Sequence, residues 1–115
     1  MTVEKSDILQ GTLDLIVLKT LETLGPTHGH GIAVRVQQVS DNILQLNQGT
    51  LYPALLRLEQ RGWIQSQWGE SENKRKARFY SLTAKGREHL VEKMSEWQRL
   101  TRAMGLILQP GTGKA

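Results

Sequence analysis

Gln48, Thr50, Tyr52 and Arg57 gather amide, hydroxyl and guanidinium groups on one short stretch, the groups that read base edges at a nucleic-acid groove. Gly49 keeps the backbone close to whatever it meets, and Pro53 shares the same outward face. Leu51, Leu55 and Leu58 recur at i, i+4 and i+7, so the spacing predicts a helix with leucines inward and the polar set outward. Asn47 or Thr50 can cap its start, and Gly62 ends the run as a C′ glycine does. An ordinary amphipathic helix with a wet outer face has the same pattern, so the choice rests on the segment C-terminal to it.

That segment is a predicted hairpin. Trp63 to Trp68 alternates with Ile64, Ser66 and Trp68 on one face, and Ala77 to Leu82 reads as its partner strand. The connection from Gly69 to Lys76 is polar, turn-forming and basic towards its end. A run such as Lys74-Arg75-Lys76 is more often a solvated loop. Directly after a candidate recognition helix it becomes a wing, able with Arg78 to reach the phosphate backbone or the minor groove.

Other chemistries fit worse. His28 and His30 stand at i, i+2 with no further ligand nearby, which does not complete a metal site, and their glycines lack the spacing of a phosphate loop. The stretch is expected to be a tight turn opening a helix from about Gly31 to Ser40, with Ile32, Val36 and Val39 inward; exposed amides there can hold a backbone phosphate. Ile43 and Leu46 are expected to close the core before the central helix. His89, between Glu88 and Glu92 on the last helix, reads as solvent-facing. No nucleophile elbow, metal triad or cofactor loop is present, so the expectation is no enzyme, no cofactor and no metal.

The positioning elements come in chain order. Leu9, Leu13, Ile16, Val17, Leu21 and Leu24 form a helical stripe, and Ile8, Leu15 and Leu18 fall on a second face. That second face meets either a partner subunit or the protein's own core. Gly25-Pro26 stops this helix. After the hairpin, Thr83 is placed as an N-cap for a helix from Ala84 to about Leu108. Leu90, Met94, Trp97, Thr101, Met104 and Leu108 make a heptad-like seam along it, flanked by Lys93, Leu100 and Ile107. A helix that long carries more apolar surface than so small a core can cover, which predicts a homodimer. Residues 1–82 are thus expected to form a DNA-binding region, 83–108 a dimerisation helix packed on it, and 109–115 a flexible tail.

At 115 residues and a formal net charge of +4, the chain has room for one domain and a mild basic bias that permits a nucleic-acid partner. There is no cysteine, no apolar run of membrane-spanning length and no signal-peptide pattern, so a soluble cytoplasmic protein is the expectation. The fold class read from all this is α+β, mainly α: a winged helix-turn-helix with a two-stranded wing and a long C-terminal helix.

Thr50-Leu51-Tyr52-Pro53-Ala54-Leu55, Arg57-Leu58-Glu59 and Gly62-Trp63-Ile64 together resemble the signature of the PadR-type winged-helix transcriptional regulators. Trp68-Gly69 and the run from Arg75 to Gly86 continue the match, and His28-Gly29-His30-Gly31-Ile32 is similar to the family's opening of its second helix. Two departures stand out: an aromatic residue is commoner at His30, and Ala77 interrupts a basic wing. The resemblance implies a homodimeric repressor that places the Gln48-to-Arg57 helix of each subunit in a major groove of double-stranded DNA at a palindromic operator. Thr50 and Tyr52 match positions that the family uses against DNA.

It also implies that a small aromatic effector can bind between subunits against Trp97. Ile8, Leu15, Leu18, Met94 and Thr101 would line that space, and Asp14, Glu22 and Glu96 would favour a cationic ligand. The plainer reading, Trp97 as an interface anchor, stands ahead of it. A second functional class is a winged helix used for protein interaction without DNA. It calls for more apolar residues on the exposed helix face than the spacing predicts there.

Overall fold

Leu13, Val17 and Leu21 recur every four residues along the first helix, α1 (Gln10–Leu24), and all three are buried. The computed structural model describes residues 10–110. Ile8 and Leu9, and the part of the expected tail after Pro110, lie outside the described residues. Leu18 is as deeply buried as Val17, so the second face of α1 is covered at that point by its own protomer. This corrects the placement of Leu18 at a subunit or effector surface: α1 is the central helix of the core, packed by the other three helices and by the sheet.

Gly25, with φ of 78°, ends α1, and its amide donates to the Leu21 carbonyl at 2.9 Å. Two residues then form a short strand, β1 (Thr27–His28), before α2 (Gly29–Val39) begins. The helix starts earlier than its apolar spacing predicts because His28 caps it: Nδ1 accepts from the Gly31 amide at 3.0 Å. Ile32 and Val36 are buried, but Val39 in the last turn is 67% exposed. Asp41 and Asn42 both take left-handed conformations in the next turn. That reversal leaves Ile43 exposed and brings Leu44 and Leu46 against the core instead.

The next helix, α3 (Gln48–Gln60), is capped by Asn47, whose Oδ1 accepts from the Thr50 amide at 2.9 Å. Its other end is a Schellman turn. The Gly62 amide donates to the Glu59 carbonyl, the Trp63 amide to the Leu58 carbonyl, and Gly62 holds φ of 78°. Leu51, Ala54, Leu55 and Leu58 are buried beneath it. The strands β2 (Ile64–Glu70) and β3 (Lys76–Leu82) pair antiparallel from Ile64↔Leu82 to Glu70↔Lys76. β1 adds to the other edge of β3, with Thr27 opposite Tyr80 and His28 opposite Phe79. The sheet therefore has three strands in the order β1-β3-β2, one more than the hairpin predicted.

Thr83 then opens α4 (Ala84–Leu108), and its Oγ1 accepts from the Gly86 amide at 3.0 Å. The same hydroxyl donates to the Gly62 carbonyl at 2.7 Å, which ties the start of α4 to the end of α3. Leu90 is fully buried and Met94 packs against the core; from Ser95 to Leu108 every residue is exposed. That outer half makes the molecule 61 Å long against 31 and 21 Å across. No helix among the described residues is long and apolar enough to cross a membrane.

Candidate nucleic-acid interface

The outward face of α3 differs from the one expected. At about 100° per residue, the direction opposite the buried Leu51, Ala54, Leu55 and Leu58 falls among Gly49, Pro53, Leu56 and Gln60, with Arg57 well to one side. Leu56 is 57% exposed and Tyr52 is 42% exposed, with Gln48, Gly49, Pro53 and Gln60 also exposed beside them. Thr50 and Arg57 lie on the flank, half-buried. The Thr50 Oγ1 is buried without a hydrogen-bond partner, so only the rest of the residue is open to a ligand.

Arg57 is committed elsewhere. Its Nη2 is paired with Oδ1 of Asp14, a side chain on α1 that is only 8% exposed, while the Arg57 Nε is buried and unpartnered. The arginine thus joins α3 to α1 from below and does not stand free to fork onto a base. This differs from the free, groove-facing side chain that the sequence predicts. The cause is its flank position, which points the side chain back over the first helix.

Pro53 sits inside α3, in its second turn. It has no N–H, so the Gly49 carbonyl lacks its usual i+4 donor and stays open at the exposed end of the helix. The Tyr52 ring leans over the start of α2. A Cβ placed on Gly29 would come within 2.6 Å of the tyrosine hydroxyl, so only glycine admits the ring there.

The wing stands beside this face. Ser71 to Arg75 form its tip, closed by a hydrogen bond from the Ser71 amide to the Arg75 carbonyl at 2.9 Å. Lys74 takes a left-handed conformation in that turn. Lys74, Arg75, Lys76 and Arg78 are all exposed, and none is paired with a carboxylate among the described residues. Arg78 is nevertheless positioned: its guanidinium lies 5.4 Å from the Trp68 ring centroid, and its Nε donates to Ser66 Oγ at 2.9 Å. Ser66 in turn donates to Glu59 on α3 at 2.6 Å, linking the wing to the recognition helix. Between wing, Tyr52 and the start of α2 runs a cleft of about 580 Å³ that also takes in His28, His30 and Trp68. Leu56, Trp68 and His30 are exposed on this side of the molecule but are absent from the set that the sequence predicts. The spacing of about 100° per residue puts Leu56 on this face, away from Leu51, Leu55 and Leu58.

The expected effector space is a separate matter. An apolar cleft of about 450 Å³ lies between α1, α2 and α4, lined by Leu15, Ile16, Val36, Leu44, Met94 and Trp97 among others. Leu18 is fully buried and does not line it, and neither does Thr101, whose hydroxyl donates to the Gln98 carbonyl at 3.1 Å. The three acids expected to attract a cation are each neutralised: Asp14 by Arg57, Glu22 by Lys19 at 2.7 Å, Glu96 by Lys93 at 3.3 Å. The charged residues that line this cleft are Lys19 and Arg35, which do not favour a cationic ligand there.

His89 is likewise not the free polar residue expected. Its ring stacks on Trp63 with centroids 3.6 Å apart and planes 12° from parallel. Burial holds its pKa below the ordinary 6.5, and the nearby Lys93 pushes it the same way.

A helix-turn-helix whose second helix is exposed along one face and followed by a basic β-hairpin defines a winged-helix transcription regulator. The chain belongs to the PadR-like family of transcriptional regulators, whose model matches residues 17–92. Solved structures agree. A transcriptional regulator from Clostridium thermocellum superposes with a TM-score of 0.78 at 28% identity, over 87% of this chain and 96% of its own. A PadR family regulator from Clostridium difficile gives 0.70 at 30% identity, over 84% and 97%. Protein X of Lysinibacillus sphaericus, itself uncharacterized, is 28% identical over 105 residues, 91% of this chain and 95% of its own length.

Proposed function

We propose that the protein is a sequence-specific DNA-binding regulator that acts as a homodimer, most simply a repressor that occludes a palindromic operator. Two copies of α3, related by a two-fold axis, would enter major grooves about one helical turn, or a multiple, apart. Lys74, Arg75, Lys76 and Arg78 would hold the phosphates on either side. The observation that carries this reading is the exposed α3 face set beside four cations without carboxylate partners among the described residues. An aromatic effector bound against Trp97 would act by favouring a dimer whose α3 spacing no longer fits the operator, through its differential affinity for the two arrangements.

The exposed Leu56 lends something to the other reading, a protein-interaction module, because an apolar residue opposite the core also suits a protein partner. The basic wing, which has no carboxylate partner among the described residues, supports the DNA reading over it. The test is selection of duplexes from a randomised library by the purified protein at two salt concentrations. Recovery of a palindromic motif, with affinity falling steeply as salt rises, is the expected result. Weak, sequence-blind binding at both salts would transfer the case to the protein-interaction reading.

A further inference from the structure

The outer face of α3 carries no charge. Its exposed members are Gln48, Gly49, Tyr52, Pro53, Leu56 and Gln60. Arg57 is tied to Asp14, and Glu59 is occupied by the Ser66 hydroxyl, so neither ion of this helix is free to reach a base. Readout of guanine in the major groove rests chiefly on an Arg or Lys at O6 and N7, and readout of cytosine on an acidic acceptor at N4. This helix offers neither. What it offers is carboxamide groups, which match the N6 and N7 edge of adenine, and a contiguous apolar ridge of Tyr52, Pro53 and Leu56, which matches the thymine methyl. Single exposed leucines need no explanation, but one placed opposite the core, next to an exposed proline and tyrosine, forms a surface. The occupant of that surface is set by charge complementarity: the cations of the wing flank it and call for a polyanion.

We infer that Leu56, with Pro53, is a specificity-determining residue that reads thymine by its 5-methyl group, so that the operator half-site facing α3 is built of A·T pairs. This rests on the proposed placement of α3 in the major groove. Gln48, in the first turn, is the amide placed to engage an adenine beside that thymine.

The test uses the full-length protein and the duplex it selects from the randomised library. Affinity is measured on that duplex and on a copy in which uracil replaces each thymine, which removes only the methyl groups. The same two duplexes are then titrated with Leu56→Ala, an exposed substitution that leaves the core intact. The wild-type protein is expected to lose about fourfold in affinity for each methyl it covers, from the burial value of one such group. Leu56→Ala is expected to bind the thymine duplex more weakly and to lose most of the discrimination against uracil. Half-sites rich in guanine, or a wild type indifferent to uracil, would overturn the inference while leaving salt-dependent, sequence-specific DNA binding standing. Absence of any selected motif would overturn the DNA reading, and this inference with it.

Discussion

The Asp14–Arg57 pair shows how far one side chain's direction decides its role. A guanidinium on a candidate recognition helix suggests base contact, yet here it spans to a carboxylate in the core, with its Nε already unpartnered. Removing one member of such a pair strands the other in a poorly solvated place. Arg57→Ala is therefore expected to lower the unfolding free energy by about 3 kcal/mol, read from urea denaturation. DNA affinity lost by a variant that denatures like the wild type would return Arg57 to the interface. Arg75 is the opposite case, exposed at the wing tip and without a carboxylate partner among the described residues. Arg75→Ala is expected to weaken binding to all duplexes alike and to reduce the slope of log affinity against log salt by about one. A loss confined to one operator would contradict that. His89 contributes through protonation. Its folded pKa lies below the ordinary 6.5, so the unfolded chain takes up the proton first. Its share of stability is fully present above pH 6.5 and declines as pH falls from there towards the folded value. Melting temperatures of wild type and His89→Gln, compared between about pH 7.5 and about pH 5.5, are expected to fall more steeply in the wild type; parallel curves would remove His89 as a source.

At the scale of elements, the join between α3, β2 and α4 is where packing is least forgiving. Gly86, in the first turn of α4, lies against the Trp63 backbone, and an added Cβ would sit 1.9 Å from the Trp63 carbonyl oxygen. That oxygen also accepts from the Thr83 amide at 3.1 Å, so it cannot move without losing that hydrogen bond. Gly86→Ala is expected to destabilise by about 3 kcal/mol in chemical denaturation, near the upper end for overpacking. A neutral result would mean that α4 can shift on the wing. These elements were largely legible from sequence: Gly62 as the C′ residue, Thr83 as the cap and the leucine spacing of α3 are local signals, and local signals survive folding. β1 was not legible, since two residues carry no alternation and exist as a strand only because β3 has a free edge. Nor was the outward set of α3 fully legible. Thr50 and Arg57 are polar by type but lie on the flank, and Leu56 is apolar by type but lies opposite the core. Residue type there ran against angular position, and only position decides what a groove would meet.

At the scale of the whole molecule, the outer half of α4 stands without cover. Trp97 is 43% exposed and Ile107 is 73% exposed, and Leu100, Met104, Leu106 and Leu108 are exposed along the same stretch. The folded protomer cannot bring its own core to these residues, because the helix runs past it. A second copy would cover them most simply, and the same pairing would set the distance between two copies of α3. Leu100→Glu combined with Ile107→Glu places charge on the flank of the seam without touching a buried residue. The variant is expected to sediment as a monomer with unchanged helical content. Its affinity for a full palindrome should fall about 100-fold or more, because the second half-site is no longer bound within one molecule. Its affinity for an isolated half-site should stay as it was, since α3 and the wing are unchanged. A variant that remains dimeric would show that α4 is not the interface, whereas a monomer that keeps full palindrome affinity would show that each protomer reads DNA alone.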